Sequence, residues 1–579
     1  MGKVKGAMIH KVISTEMLPL RERPLHDPDE ETYVELIKNI LKSGPMYFSY
    51  NLDLTNSFQR QAKSDPNTPL WMRSDDRFFW NKFLQSDLID FRSGSGNLAG
   101  MRMAVGPTTS VDPFILPVIC GMLNITKTSI KGNQLTFMLI TRRSRHRTGT
   151  RYFSRGIDEN GNVSNYNETE QSIILNDNDT SSNGSFNAMD NKFGATGGRE
   201  VQILAYIQTR GSVPVYWAEV NKLKYTPELQ IRSVDSAVDA ASKHFAEQIN
   251  LYGDNYLVNL VNQKGREARV KDAYEQIVRK LQSTPREADK ETHRSPETVH
   301  IVEAQSVQQQ FDRLHYVYFD FHNETKGLKW HRAKLLLDQL HQPLLDQQYF
   351  HGVYNLSDRL ARAEVRNTQR SVVRTNCMDC LDRTNVIQSM LGRFALTRML
   401  QDLQLLSRNE SAEQDAAFEH LFRNIWADNA DAVSAMYSGT GALKTDFTRT
   451  GTRTRAGAAQ DLRNSITRYL RNNFTDGPRQ DAYDLFSGRY LPSDTSGESG
   501  VFVDKRPIII QAVPYVFAAS LFFVAVASVS PRVPGAAVWP LRIVILASLG
   551  VAAYAGRFMA RYGPLYVSRC HSKVHPSLL

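Results

Sequence analysis

Short hydrophobic runs dominate residues 113–217 and are typical of β-strands. The runs are rich in β-branched and aromatic residues, and turns containing Gly, Asn or Asp separate them. They read FILPVICGML (114–123), QLTFMLITRR (134–143), VQILAYIQTR (201–210) and VPVYWAEV (213–220). This pattern predicts a β-rich module in the N-terminal part of the chain.

Helical and extended patterns alternate further along the chain, which indicates a mixed α/β region. A helical spacing relates the apolar residues Tyr274, Ile277, Val278 and Leu281. A strand candidate, LHYVYFDFH (314–322), precedes an amphipathic helix around WHRAKLLLDQL (330–340). Near residue 372 a short apolar strand leads through a polar loop into a helix with Val386, Ile387, Met390, Leu391 and Phe394 on one side.

Two polar stretches interrupt these patterns and are predicted to be exposed loops. Residues 176–198 are rich in Asn, Ser, Gly and Asp, and residues 282–297 are rich in charged and polar side chains. Such segments can bury little apolar surface. We therefore expect them to lie outside the folded core.

Two apolar segments near the C-terminus predict a transmembrane hairpin. Residues 508–530 carry no formal charge over 23 positions, enough to cross about 30 Å of hydrocarbon at about 1.5 Å per residue. Residues 536–556 carry one charge, Arg542, close enough to the start of the segment to reach the interface. Basic residues flank the outer ends, so the positive-inside rule predicts that the large N-terminal part is cytosolic.

Charge and cysteine usage narrow the class of protein further. Lys and Arg exceed Asp and Glu by 70 to 60, which favours anionic partners but does not separate nucleic acid from acidic lipid. The four cysteines, Cys120, Cys377, Cys380 and Cys570, show no recurring spacing. They predict no disulfide framework and a reducing compartment, and the sequence shows no cluster of metal ligands.

The stretch VVRTNCMDCLDRTNV (372–386) carries the candidate chemistry. Five residues separate Cys377 from Arg383 in the polar loop before the predicted helix. A loop this short can wrap N–H groups around one tetrahedral anion, and the helix N-terminus adds its positive dipole end. The same field stabilises a Cys377 thiolate, and the planar fork of Arg383 can bind two phosphate oxygens. The spacing favours a nucleophile in a phosphate-binding loop.

Other interpretations of the stretch remain open from the spacing alone. A Cys-x5-Arg spacing also arises by chance, and Cys377 with Cys380 forms a CxxC pair like those of redox enzymes. Asp379 and Asp382 are both suited to protonate a leaving hydroxyl and then activate water, and the sequence does not choose between them. Asp382 can instead cap the helix, and Thr384 can hydrogen-bond the thiolate.

The full string RTNCMDCLDRTN (374–385) closely resembles the signature of the Sac-domain phosphoinositide phosphatases. Further landmarks follow in the family's order: RYFSRGIDENGNVSNYNETEQ (151–171), QTRGSVPVYW (208–217), LVNLVNQKG (257–265), FDFH (319–322), WADNAD (426–431) and YSGTGALKTDFTRTGTRT (437–454). The resemblance runs from near the start of the chain to the apolar hairpin. It is greatest to the integral-membrane branch of the endoplasmic reticulum and Golgi.

The resemblance implies an α/β fold in which a β-rich N-terminal Sac module packs on an α/β catalytic module with a Cys-x5-Arg phosphate loop. The N-terminal module takes residues 1–220 and the catalytic module residues 221–490. A juxtamembrane linker (491–507), two transmembrane helices (508–556) and a cytosolic tail (557–579) follow. The strands that open the family's N-terminal module are missing from the start of this sequence, so we expect an incomplete sheet edge.

The implied activity is removal of phosphate from phosphatidylinositol 4-phosphate and other monophosphorylated inositol lipids, without a cofactor or a catalytic metal. By matching position, Cys377 is the nucleophile, Arg383 binds the phosphate, and Asp379 or Asp382 is the acid. The resemblance further implies substrate contacts from Asn376, Met378, Cys380, Leu381, Thr384, Lys444 and Arg449. Lys444 and Arg449 belong to a basic run that is expected to line a cationic groove toward the lipid headgroup.

The expected location is the membrane of the endoplasmic reticulum or Golgi, spanned by more than one helix, with the catalytic part in the cytosol. We expect an inositol lipid substrate and no nucleic-acid partner, while protein partners stay open. A protein phosphatase is less favoured because the hairpin places lipid nearby. The alternative from another class is an idle scaffold that binds phosphoinositides, and the presence of all four of Cys377, Asp379, Asp382 and Arg383 favours the enzyme.

Overall fold

A computed structural model describes residues 2–18, 27–94, 109–176, 200–283, 311–326, 330–355, 362–492, 501–530 and 537–571. The predicted loop at 176–198 and most of the one at 282–297 lie outside the described residues. The connection between the two apolar segments, the middle of the predicted linker and the end of the predicted tail also lie outside them.

The described residues form fourteen β-strands and fifteen α-helices. The strands are β1 (Gly2–Val4), β2 (Ala7–Lys11), β3 (Met46–Phe48), β4 (Ile119–Ile130), β5 (Asn133–Arg143), β6 (Asn167–Leu175), β7 (Glu200–Arg210), β8 (Trp217–Val220), β9 (Glu228–Ile231), β10 (Asp254–Asn259), β11 (Leu314–Tyr318), β12 (Phe350–Asn355), β13 (Ala363–Asn367) and β14 (Ser371–Asn376).

The helices are α1 (Pro28–Ser43), α2 (Phe58–Lys63), α3 (Ser86–Ser93), α4 (Val238–Tyr252), α5 (Ala268–Ser283), α6 (Phe321–Glu324), α7 (Lys334–Gln339), α8 (His341–Gln347), α9 (Asp382–Asp402), α10 (Ala416–Ser438), α11 (Thr445–Thr450), α12 (Arg455–Phe474), α13 (Asp476–Phe486), α14 (Ile508–Val529) and α15 (Trp539–Arg561).

One twelve-stranded sheet runs through the body of the protein in the order β1-β2-β3-β4-β5-β6-β7-β14-β10-β11. The pairs from β1 to β7 are antiparallel, whereas β7, β14, β10 and β11 pair in parallel. Along its first half β7 also pairs with β12, which in turn pairs with β13. The predicted α/β class is confirmed, with an antiparallel N-terminal half that continues into a parallel half.

Most of the elements predicted from the sequence are present. The four β-rich runs contain β4, β5, β7 and β8, and the predicted helix near residue 274 is α5, which buries its apolar stripe. The predicted helix at 330–340 is shorter than expected, because a 3-10 turn precedes α7. The division at residue 220 stays a prediction, since β7 from the first part shares the sheet with β14 from the second.

Hydrophobic layers cover both faces of the sheet. On one face β5 and β7 pack against α9 and α10 through a cluster that includes Phe137, Leu204, Leu396, Phe422 and Trp426. The other face of the N-terminal half is covered by the segment around α2. The α9–α10 layer fixes the start of α9 relative to the end of β14, where the candidate chemistry lies.

The two apolar segments are both helices, α14 and α15, which pack against each other. Each is long and apolar enough to cross a membrane, with mean hydropathies of 2.1 and 1.7. The second helix continues to Arg561, past the predicted end at residue 556. The described end of the predicted linker contacts the body, since the Phe502 ring meets the Tyr33 ring edge-on with centroids 5.0 Å apart.

Candidate active site

The predicted strand, loop and helix are β14, residues 377–381 and α9. β14 lies between β7 and β10 and runs parallel to both, so its carboxyl end opens beside theirs. The Asn376 side-chain amide donates to Asn259 Oδ1 at 2.9 Å, which aligns the ends of β14 and β10. Crevices at the carboxyl ends of parallel strands are where α/β folds place their ligands.

Cys377 lies at the base of this loop and is 3% exposed. The Thr384 hydroxyl, in the first turn of α9, donates to Cys377 Sγ at 3.5 Å. The sulfur therefore faces the N-terminal end of α9, where the positive end of the helix dipole lies. This arrangement brings together Cys377 and Thr384, as the sequence predicts.

Cys380 contributes to the loop conformation through its backbone and through its thiol. Its backbone is in the left-handed region, with φ of +51°. The Cys380 thiol donates to Gly211 O at 3.1 Å, and burial raises its pKa to about 12. Cys380 is thus a protonated thiol that ties the loop to the residue after β7.

Asp379 is bound by two arginines that lie far from it in the sequence. Arg151 Nη2 is 2.8 Å from Asp379 Oδ2, and Arg155 Nη2 donates to Oδ1 at 2.6 Å. Arg155 also donates to Met378 O at 3.1 Å, so one guanidinium holds two neighbouring loop residues. Burial raises the pKa of Asp379, but the two arginines outweigh it and hold the pKa well below the usual range. Asp379 is therefore a carboxylate in this conformation.

Asp382 begins α9 and is the less constrained of the two loop aspartates. Its Oδ1 accepts the Leu443 N–H at 2.8 Å, and Arg468 Nη1 lies 3.4 Å from Oδ2. The N-cap position of α9 is Leu381 and Asp382 lies inside the first turn, so Asp382 is not the N-cap residue of this helix. Asp382 instead links the loop to the segment between α10 and α12.

Arg383 is held by the loop after β10. Its Nη1 donates to Leu260 O and Asn262 Oδ1, each at 2.9 Å. Glu267 accepts from Nη1 and Nη2, both at 2.9 Å, in a bidentate ion pair. These contacts occupy the end-on edge of the guanidinium. Within the described part of the chain, none of these hydrogen bonds uses Nε–H.

The two predicted basic residues of the groove have different environments. Lys444 follows Leu443 in the left-handed region, with φ of +62°, and its N–H donates to Asp461 at 3.0 Å. Arg449 is ion-paired with Asp428 at 2.7 Å and Asp431 at 3.2 Å. The Asp382 contact to Leu443 brings this segment to the loop, while the roles of Lys444 and Arg449 in substrate binding stay predictions.

Sequence reasoning did not single out several residues of this site. They are Arg151, Arg155, Asn262, Glu267 and Arg468. Arg151 and Arg155 fall inside the landmark 151–171, and Asn262 falls inside 257–265. The resemblance over these landmarks was the only indication in the sequence that the segments belong to the site. It did not identify which of their side chains contact the loop.

The described residues include no group of three or more His, Cys, Asp or Glu placed to hold a metal ion.

Comparison with known proteins agrees with this geometry. The SacI homology domain profile matches residues 1–326. The chain is 42% identical to a Saccharomyces cerevisiae protein named phosphatidylinositol-3-phosphatase SAC1, over 90% of this chain and 73% of that protein. It is 37% identical to the Drosophila melanogaster protein of the same name, over 86% of this chain and 72% of that one. A Danio rerio protein, phosphatidylinositol-3-phosphatase SAC1-A, is 33% identical over 87% and 74%.

Proposed function

The chain belongs to the Sac-domain family of phosphoinositide phosphatases, and from this premise we propose that it dephosphorylates phosphatidylinositol 4-phosphate through a phosphocysteine intermediate. Other monophosphorylated inositol lipids are its secondary substrates. The observation that carries the proposal is that Cys377 lies at the carboxyl end of a parallel strand with the Thr384 hydroxyl on its sulfur. Arg383 stands beside Thr384 in the first turn of the helix that follows. This loop has the size and donors to hold one phosphoryl group.

In the first step Cys377 Sγ attacks the phosphorus in line with the inositol oxygen. The S–P bond forms as the P–O bond to inositol breaks, and the loop N–H groups with Arg383 Nε and Nη2 stabilise the charge on the other oxygens. Asn376, Met378, Cys380 and Leu381 would contribute through the backbone and the shape of the loop. Water then attacks phosphorus, the S–P bond breaks, and inorganic phosphate leaves.

We assign the general acid to Asp382. The departing inositol oxygen needs a proton, and Asp379 is a poor source because two arginines favour its ionised form. Asp382 has one backbone donor and one distant guanidinium contact, and it lies on the same loop. Asp379 would instead keep Arg151 and Arg155 beside the phosphate site.

The apolar hairpin and the family resemblance support the proposed location. We propose that α14 and α15 span the membrane of the endoplasmic reticulum or Golgi, with the catalytic body in the cytosol. Lys444 and Arg449 would face the lipid headgroup. The names of the yeast and fly relatives specify a 3-phosphatase, so phosphatidylinositol 3-phosphate is the competing substrate in any test.

The test is phosphate release by the full chain from micelles containing each phosphatidylinositol monophosphate, with a chelator present. We expect fastest release from the 4-phosphate, none from Cys377→Ser, and a trapped phosphoenzyme that treatment specific for thiophosphate bonds releases. Faster release from the 3-phosphate would refute the substrate assignment. A folded chain that binds the lipids without releasing phosphate would instead support the idle scaffold.

A further inference from the structure

Helix α12 buries its polar face and exposes its apolar face, the reverse of a helix on a water-facing surface. Its buried residues are all polar: Asn464, Arg468, Asn472 and Asn473. Its large exposed residues at successive helical turns are apolar: Leu462 (63% exposed), Ile466 (53%), Leu470 (50%) and Phe474 (49%). The spacing of four places these side chains in one stripe along the helix.

This stripe is unfavourable in water. Burying a Leu, Ile or Phe side chain is worth about 1.5–3 kcal/mol, and soluble surfaces rarely line up several such side chains. The polar residues under the helix are needed there, because Arg468 donates to Ser434 Oγ at 2.8 Å and Gly441 O at 2.7 Å. The apolar face is therefore built for a nonpolar phase outside the body.

The end of α12 lies against the chain that leaves the second apolar helix. Ser568, a few residues after α15, donates its N–H to Asn473 O at 2.6 Å. The Ser568 hydroxyl accepts the Gly477 N–H at 2.9 Å. Next to it the His571 ring and Asp481 lie 3.1 Å apart. The C-terminal end of the stripe is therefore anchored beside the base of the hairpin.

The loop that connects β8 to β9 lies between α12 and α15 in space and extends the same surface. The Tyr469 hydroxyl of α12 donates to Leu223 O at 2.7 Å. A Cβ placed on Gly563, two residues after the end of α15, would lie 2.5 Å from Lys222 O, so the two backbones touch. Tyr225, the next aromatic residue of this loop, is 78% exposed. Apolar and aromatic side chains thus continue from α12 to the foot of the hairpin.

We propose that α12 lies in the interface of the bilayer that holds α14 and α15 and inserts Leu462, Ile466, Leu470 and Phe474 among its lipids. The exposed Arg455 and Arg463 lie on the same helix and suit anionic headgroups. The occupant of the stripe is the protein's own membrane, because the hairpin base is continuous with it.

The consequence for catalysis rests on the proposed function. The opposite face of α12 carries Arg468, which contacts the loop residue Asp382. Insertion therefore sets the height of the loop above the lipid surface, and the enzyme acts on headgroups of the membrane in which it is anchored.

The direct test is photo-crosslinking of the full chain in liposomes of phosphatidylcholine with phosphatidylserine. Benzoylphenylalanine at position 466 or 470 should form lipid adducts detectable by mass spectrometry. The same group at Leu88, an exposed leucine on α3, should form none. Adducts to a second copy of the chain, or no lipid adduct at 466 and 470, would overturn the proposal. This readout does not need enzymatic activity.

The functional test uses the double variant Ile466→Gln with Leu470→Gln, and Leu88→Gln as the matched surface control. With phosphatidylinositol 4-phosphate in the same vesicles, turnover by the double variant should fall about tenfold. Turnover of a short-chain soluble substrate should be unchanged. Equal losses on both substrates would refute the membrane role. A wild-type chain inactive on every substrate would refute the proposed function and leave the decision on α12 to the crosslinks.

Discussion

The ion pair between Glu267 and Arg383 makes the most specific prediction. Replacing Glu267 by Gln removes one charged acceptor and places an amide NH2 beside a guanidinium that has only donors. Glu267 now fixes the end-on edge of Arg383 through two hydrogen bonds of 2.9 Å. Without them, the Arg383 guanidinium is no longer held in one orientation, and under the proposed mechanism the variant should bind the transition state less well.

The size of the effect follows from the contacts. Both partners of the pair are largely buried, with side chains 23% and 16% exposed. A charge-assisted hydrogen bond contributes about 1.5–3 kcal/mol. If the misplaced arginine loses one such bond to the phosphoryl group, about 2 kcal/mol of transition-state stabilisation disappears. This corresponds to about a 30-fold fall in kcat/KM.

The assay is phosphate release from soluble short-chain phosphatidylinositol 4-phosphate, so that membrane docking plays no part. Asp272→Asn is the matched control, since Asp272 lies on α5 close in sequence and is 59% exposed. Its kcat/KM should equal that of the wild type. A Glu267→Gln variant with normal melting and wild-type or higher activity would refute the positioning role. Higher activity would show that Glu267 restrains Arg383 in an idle orientation.

Four further predictions use the same structure. Asp382→Asn should lower kcat on inositol lipid about 100-fold or more but much less on para-nitrophenyl phosphate, whose leaving group needs no proton; equal losses would contradict the acid role. Asp379→Asn should lower the melting temperature, because it leaves Arg151 without its carboxylate and leaves Arg155 with Glu219 alone. The arginine partners of Glu168 lower its pKa to about 2 despite burial. The ionised Glu168 therefore stabilises the folded state by about 3 kcal/mol at neutral pH, and this contribution declines below pH about 4.5 and is gone below about 2. As the pH is lowered, the urea midpoint of Glu168→Gln should fall less than that of the wild type. Burial raises the pKa of Cys380 and Cys120 to about 12, so iodoacetamide at pH 8 should leave both unmodified in peptide maps of the native protein.

Local patterns were enough to predict the strand, loop and helix of the site. β14 and α9 lie next to each other in the chain, and the apolar residues of each face a single neighbouring layer. The period of the hydrophobic pattern then reports directly on the element. The position of Cys377 at the strand end follows from that reading.

Strand β6 could not be predicted in this way because its interior side chains are charged. Glu168 and Glu170 are fully buried, and Arg142 of β5 donates to them at 3.0 and 2.7 Å. Arg60 of α2 adds a bidentate contact to Glu168, with both distances 2.8 Å. A buried strand with carboxylates looks like a surface segment until the arginines that neutralise it are known.

The arginines that bind the 377–381 loop could not be predicted either, because they lie far from it in the sequence. Arg151 and Asp379 are separated by 228 positions, and Arg155 and Asp379 by 224. Only the long crossover from the antiparallel half of the sheet to its parallel half brings them together. Helix α12 was also missed, although its apolar residues recur at helical spacing. The sequence does not say that this stripe faces outward, away from the core.

The shared strand β7 has a consequence for how the chain folds and can be divided. One edge of β7 is paired with β6 along its length, and the other edge carries β12 and then β14. A cut near residue 220 would separate β7 in the first fragment from β12 and β14, its partners in the second. The second fragment would then lack the strand on which both of them pair. The two halves should therefore fold and unfold in one cooperative transition. A fragment ending at residue 220 would expose the unpaired edge of β7 and would be prone to self-association through it.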